Sequence, residues 1–361
     1  MTPVDTRRFS PSRSWLGALK GLLAFAAILL ASNTPAATFP DLYAIVVPRG
    51  GATLPQGPAR TQDETLRFAM GQLLTRVTGR RDAAFEPALG GMLENARDFL
   101  EQIGTLDRDN LIVRFNASNV ESALVRLEQP VWGAERPLTL VWVGVDAGLG
   151  QRELLSAEAR AGAPESDLLP TLAALRSELA AVADERGLLL TLPLLDIEDM
   201  ATLSFADVWG GFRDRVERAS ERYAADDILI GQVRLTEFGP VARWTLIKGE
   251  RELGLPGQSV REGLDALADL YAAEFSTIGR ASAAAVTITG VRTLEDYGRV
   301  MRYMESLSML ESVMPEGLAD GSLRLRVAAR GGESGLRRIL GLGGLLRPAA
   351  GPDTLTFALN P

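Results

Sequence analysis

Leu138-Thr139-Leu140-Val141-Trp142-Val143-Gly144-Val145 decides the reading of this chain: eight residues with no charge and no regular alternation of apolar with polar side chains. A strand with one wet face alternates, so a run this uniform predicts a strand buried on both sides, in a sheet covered by helices. Leu42 to Val47, Leu111 to Phe115, Leu188 to Leu192 and Ile228 to Val233 are further strand-length runs. Helices are expected between them. A Ser or Thr followed three residues later by Glu or Asp can cap the first turn reciprocally, and Thr61/Glu64, Ser118/Glu121, Ser204/Asp207, Ser259/Glu262 and Thr293/Asp296 fit. Apolar residues at spacings of three and four follow, as in Leu66, Met70, Leu73, Val77 and in Leu264, Leu267, Tyr271. Leu168, Leu172, Leu175, Leu179, Val182 shows the same period without a box.

The order of these elements predicts an α/β to α+β protein of three small mixed-sheet domains in series. Residues 37–135 read β, α, α, β, α. Residues 136–280 read β, a long loop, α, β, α, β, a hairpin from Ile228 to Ile247, and α; the loop from Ala147 to Asp167 is the expected mobile insertion. Residues 281–361 read β (Ala285 to Thr289), α (Thr293 to Leu307), β (Met309 to Met314), β (Leu323 to Ala328), α (Glu333 to Leu340), β (Thr354 to Ala358), the split β-α-β order of a ferredoxin-like domain.

Residues 1–36 read as an export signal. Arg7, Arg8, Arg13 and Lys20 precede the apolar stretch Gly21 to Ala31, and Thr34-Pro35-Ala36-Ala37 offers small residues for cleavage. The expected location is therefore the periplasm, with no stable membrane insertion after cleavage; an uncleaved inner-membrane anchor is the alternative. Losing four cations and one anion (Asp5) takes the formal charge from −8 to −11. So acidic a chain, with no basic block, argues against nucleic acid as a partner.

The 361 residues include no histidine and no cysteine. Ser-His-Asp, Cys-His and zinc chemistry are thereby excluded, as is a lipoprotein anchor on cysteine. The lysines are Lys20 and Lys248 alone; the second sits beside Gly249-Glu250 in an expected hairpin turn, a poor setting for the desolvated amine of Schiff-base chemistry. Carboxylates could still hydrolyse glycans, with Asp196/Asp199 or Asp226/Asp227 as the choices, but adjacent residues on a strand point to opposite faces. No catalytic residue, cofactor or metal site is assigned. Asp196, Glu198, Asp199 and Asp207 could gather oxygen ligands for calcium; they lack the spacing and glycine of a calcium loop, and capping of nearby amides is the plainer role. Trp132 with Glu135 and Arg136, and Trp209 with Asp207 and Arg213, could form an aromatic and arginine binding surface; the plainer reading is that the tryptophans fill cores or seams.

An ordered set of short segments then suggests a family: Leu42-Tyr43 to Pro48, Leu73-Leu74-Thr75-Arg76-Val77-Thr78-Gly79, Pro130-Val131-Trp132-Gly133 with Arg136-Pro137, Pro193-Leu194-Leu195-Asp196-Ile197-Glu198-Asp199, Asp207-Val208-Trp209-Gly210, and Ala219-Ser220-Glu221-Arg222-Tyr223 to Gly231. Over roughly residues 40–250 the chain resembles a proteobacterial family known as domain of unknown function twenty sixty-six. The resemblance implies an exported envelope protein without catalytic residues to carry over. From Pro137 through Gly231 it also resembles the small α/β domains of envelope assembly proteins, such as the amino-terminal domain of the Tol translocation protein and the lipoprotein activators of peptidoglycan synthases; that likeness is one of fold. The expected function is a non-catalytic factor binding envelope proteins, with a carboxylate-dependent glycan hydrolase as the alternative.

Overall fold

The computed structural model describes residues 37–49, 61–158, 168–349 and 355–360. The expected leader, residues 1–36, and the 159–167 part of the expected mobile loop lie outside them. The described chain is a mixed α/β protein with three sheets, of α+β type.

The first sheet holds β1 (Ala44–Pro48), with α1 (Gln62–Thr78) and α2 (Gly90–Glu94) after it, then β2 (Leu100–Thr105), β3 (Asn110–Phe115) and α3 (Ala117–Arg126). Its order is β1-β3-β2, all antiparallel. Strand β2 has no apolar run to announce it: Leu100-Glu101-Gln102-Ile103-Gly104-Thr105 is a partly exposed edge strand. Helix α1 carries the full Thr61/Glu64 box and ends on Gly79 at φ +72°. The Ser118/Glu121 box does not form. Asn116, two residues earlier, caps α3 by accepting from the Asn119 amide, and Glu121 bonds Tyr43 and Arg330 instead.

The second sheet is built from β4 (Leu138–Asp146), β5 (Arg152–Leu154), α4 (Leu169–Arg186), β6 (Leu189–Thr191), α5 (Ile197–Thr202), α6 (Phe205–Gly210), α7 (Arg213–Ser220), β7 (Asp227–Thr236), β8 (Gly239–Lys248), β9 (Arg251–Leu255) and α8 (Val260–Phe275). Strand β4 pairs in parallel with β7 and β6, while β7, β8 and β9 form an antiparallel meander. Every residue of β4 after Leu138 is buried, because helices cover both faces. Leu172, Leu175, Leu179 and Val182 of α4 and Leu264, Leu267 and Tyr271 of α8 share one core with Val141 and Val143. On the other face Leu203, Val208, Val216 and Ala219 pack with Leu140, Trp142 and Ile230. Gly231 and Gly263 give Trp244 its space: a Cβ at either would lie within 2.5 Å of the indole. The indole N–H is satisfied by Ser259 O at 2.9 Å.

The third sheet comprises β10 (Ser282–Thr289), α9 (Leu294–Ser306), β11 (Leu310–Ala319), β12 (Ser322–Ala329), α10 (Gly332–Leu340), β13 (Leu346–Pro348) and β14 (Thr356–Leu359), in the order β11-β12-β10-β14-β13. The place beside β10 is taken by β14, in parallel, and β13 forms an edge strand that the sequence reading omits. The apolar core under α4 and α8 continues into this sheet, through Tyr271 and Phe275 to Val286, Leu325 and Leu336.

Candidate functional site

Trp132 and Arg136 lie in the seam where the three sheets meet, and neither belongs to an exposed surface. Both are fully buried. The Arg136 guanidinium lies over the indole at 3.5 Å and donates to the carbonyls of Gly133 (2.6 Å), Trp132 (2.9 Å), Arg76 (3.1 Å) and Gly187 (3.2 Å). A planar fork with five donors can span four carbonyls in this way, which an ammonium cannot. Burial pushes its proton affinity well below the usual arginine value. The charges of Glu135 and Arg136 suggest a surface in the sequence, whereas the burial of Trp132 and Arg136 fits the other reading, a tryptophan that fills a seam. Glu135 is also buried and accepts from Ser308 N (2.6 Å) and Ser308 Oγ (2.7 Å).

More arginines stitch the same seam. Arg76 donates to Asp184 (2.9 Å) and Ala44 O (3.0 Å), and Arg186 to Asp265, Asp269 (2.7 Å) and Gly79 O (2.8 Å). Arg330 bridges Glu121 (2.6 Å) and Ser308 O (2.5 Å). None of these contacts has a signature in local sequence, since the partners stand tens to hundreds of residues apart.

The acidic segment is consumed by backbone amides, by Tyr223 and by two arginines, Arg222 and Arg215. Asp196 is the N-cap of α5, accepting from the amides of Glu198 (3.1 Å) and Asp199 (3.0 Å), and both its oxygens meet Arg222, at 2.8 and 3.0 Å. The Arg222 hydrogen bond, then the Asp199 amide, lower its pKa to about 2. Asp199 is buried and accepts from Leu195 N (2.8 Å), Tyr223 Oη (2.5 Å) and Arg222 (3.2 Å). Glu198 stands 3.5 Å from Arg222. Asp207 completes the Ser204 box and pairs with Arg215 at 2.8 Å; the Ser204 hydroxyl is the main cause of its lowered pKa. With every oxygen of Asp196 and Asp199 occupied, they form no acid and nucleophile pair facing a cleft. Among the described residues no group of three Asp or Glu could hold a metal ion. Asp226 and Asp227 also part company: Asp226 accepts from Leu138 N (2.8 Å), while Asp227 is buried under Tyr271 (2.8 Å) and Lys248 (3.4 Å), its pKa raised by burial.

Trp209, at the end of α6, is the one tryptophan of the predicted set that reaches an open surface. It is partly exposed and stacked on Phe205, with ring centroids 5.3 Å apart at 20°. Arg152 lies over Phe205 (5.7 Å) and Arg234 over Trp209 (5.6 Å). The rings rest on Gly144, where a Cβ would come within 3.2 Å of Phe205 and 3.4 Å of Trp209. Next to this column, β7 and β8 present Gln232, Arg234, Arg243 and Val241 on one face, beyond the cover of α5–α7; Gln232 pairs with Arg243, and Arg234 with Val241. Gln232 donates to Trp209 O at 2.6 Å. Trp209, Gln232, Arg234, Arg243 and Gln258 line a cavity of about 580 Å³. The sequence reading paired Trp209 with Asp207 and Arg213. It missed Arg152, on β5, and Arg234 and Arg243, whose only signal was a polar residue at positions of β7 and β8 that alternate with the apolar ones.

Comparison with known proteins reaches the amino-terminal part of the chain. No curated protein and no solved structure matches it. Residues 36–133 match a family described as Domain of unknown function (DUF8605), a different family from twenty sixty-six and without bearing on that resemblance.

Proposed function

We propose that the chain is a non-catalytic, exported envelope protein of the periplasm that works by binding protein partners. The observation that carries this reading is the contrast between its two charged regions. The carboxylates a hydrolase would need are locked onto amides, Tyr223 and Arg222, whereas Trp209, Arg234 and Arg243 line an open cavity. Aromatic residues and arginine are the types enriched at the centres of protein interfaces. The resemblance to domain of unknown function twenty sixty-six belongs to the same proposal. So does a division into residues 37–135, 136–280 and 281–361, the last a ferredoxin-like unit enlarged by one strand; the crossover from β10 through α9 to β11, with β12 between, supports it.

The test is photo-crosslinking in intact cells from a photoreactive residue at the exposed position Phe238. Capture of envelope proteins is expected. A chain that captures none, while the purified protein turns over a glycan and loses that turnover in Asp196→Asn/Asp199→Asn, belongs to the hydrolase class instead.

A further inference from the structure

The column Arg152, Phe205, Trp209, Arg234 continues into Arg243 on the neighbouring strand, and its charge is unbalanced. Asp146 is the nearby carboxylate, 3.3 Å from Arg152, and its charge is also felt by Arg234. Among the described residues the Arg243 side chain has no ion pair or hydrogen bond, and the Arg234 side chain has only its ring contact and that distant charge. Two diagonal cations on one sheet face repel each other unless an anion comes between them. They stand at a cavity of about 580 Å³, within the range that holds a bound ligand. In a chain of formal charge −8, this is a local excess of guanidinium, and Arg234 and Arg243 are both exposed.

From this we infer that the face formed by Arg152, Trp209, Arg234 and Arg243 binds an acidic peptide segment of the partner protein, a reading that rests on the protein-binding function above. Planar guanidiniums take carboxylates in two parallel hydrogen bonds, and the Arg234 guanidinium stands over the Trp209 ring at 5.6 Å. The Gln232 amide nitrogen is spent on Trp209 O, which leaves its oxygen to accept from a peptide N–H. Phe238 (96% exposed) and Val241 (44% exposed) stand close by on the β7–β8 hairpin and offer apolar contact to side chains that flank the acidic ones. A neutral sugar would want an open ring face, but a phenyl ring and a guanidinium already lie against the indole. A membrane surface is flat, whereas these cations line a concavity.

The experiment measures binding of a fluorescein-labelled peptide of alternating Glu and Tyr to the full chain, to Arg234→Ser/Arg243→Ser, and to Arg218→Ser, which alters an exposed arginine on α7. Melting temperatures of all three are compared to exclude misfolding. Affinity is expected to fall about tenfold or more in the double variant, to stay unchanged in Arg218→Ser, and to vanish for a peptide with Gln in place of Glu. Absence of binding, or equal binding by both variants, overturns the assignment. So does tighter, equally variant-sensitive binding of phosphatidylglycerol vesicles or polygalacturonate. Photo-crosslinking separates the two levels: unchanged partner capture by the double variant rejects this face while the protein-binding reading stands, and no capture by the unaltered protein rejects the reading itself.

Discussion

Four carbonyl oxygens accept from the one buried guanidinium of Arg136. Arg136→Ala should therefore cost about 3 kcal/mol or more, since orphaned buried acceptors carry their full desolvation penalty. Arg136→Lys should recover little, because three donors on one nitrogen cannot reach four carbonyls and lie flat on Trp132; urea denaturation of both variants checks this. Asp196 gives a prediction of opposite visibility. Its folded pKa of about 2 lies below the unfolded value of about 3.9, so its stabilisation is complete above that value and is lost as pH falls towards about 2. Asp207 and Asp296 are lowered in the same direction by their capping bonds. The melting temperature should drop between about pH 4 and pH 2, and less steeply in Asp196→Asn, whose amide still caps α5 but no longer carries a charge for Arg222. Parallel slopes would show that the Asp196 charge contributes nothing.

Helix α8 can approach the second sheet because position 263 has no side chain. A Cβ there would lie 2.1 Å from Trp244 Cδ1, so Gly263→Ala should push α8 off the sheet and cost about 1–3 kcal/mol, measured as a shift in denaturation midpoint. Elements such as α8 were legible in the sequence, because a stripe at spacings of three and four and a capping serine act within one turn. The same holds for β4 and for the first half of β7, Ile228 to Gly231, whose apolar character reports burial on both faces. Strands β2, β5 and β9 were not legible: three to six residues long and partly exposed, they are held by their neighbours' hydrogen bonds rather than by their own pattern. The site divides in the same way. That Asp196 and Asp207 cap helices follows from their spacing to the next apolar run. Arg136 reads as a surface charge until the chain is folded, and Arg234 and Arg243 become neighbours only through strand register.

At the scale of the molecule, polar contacts between the sheets carry much of the assembly. The Glu135 carboxylate holds the turn between α9 and β11 through the amide and hydroxyl of Ser308. Glu135→Ala should raise hydrogen exchange at the Ser308 amide by about tenfold or more, from the loss of roughly one hydrogen bond to a charged group, while amides of β4 exchange as before. A uniform rise would mean that the seam opens only with global unfolding. Lys248 has a different consequence. Beyond residue 20 it is the only lysine, and its ammonium is enclosed by Asp227 (3.4 Å), Glu274 (3.2 Å) and the rings of Tyr271 and Phe275. Among the described residues succinimidyl esters meet one shielded side-chain amine, and with no thiol in the chain maleimides meet nothing. A reporter cysteine can therefore be installed anywhere on this protein without removing a native one, and will be the sole thiol that a dye finds.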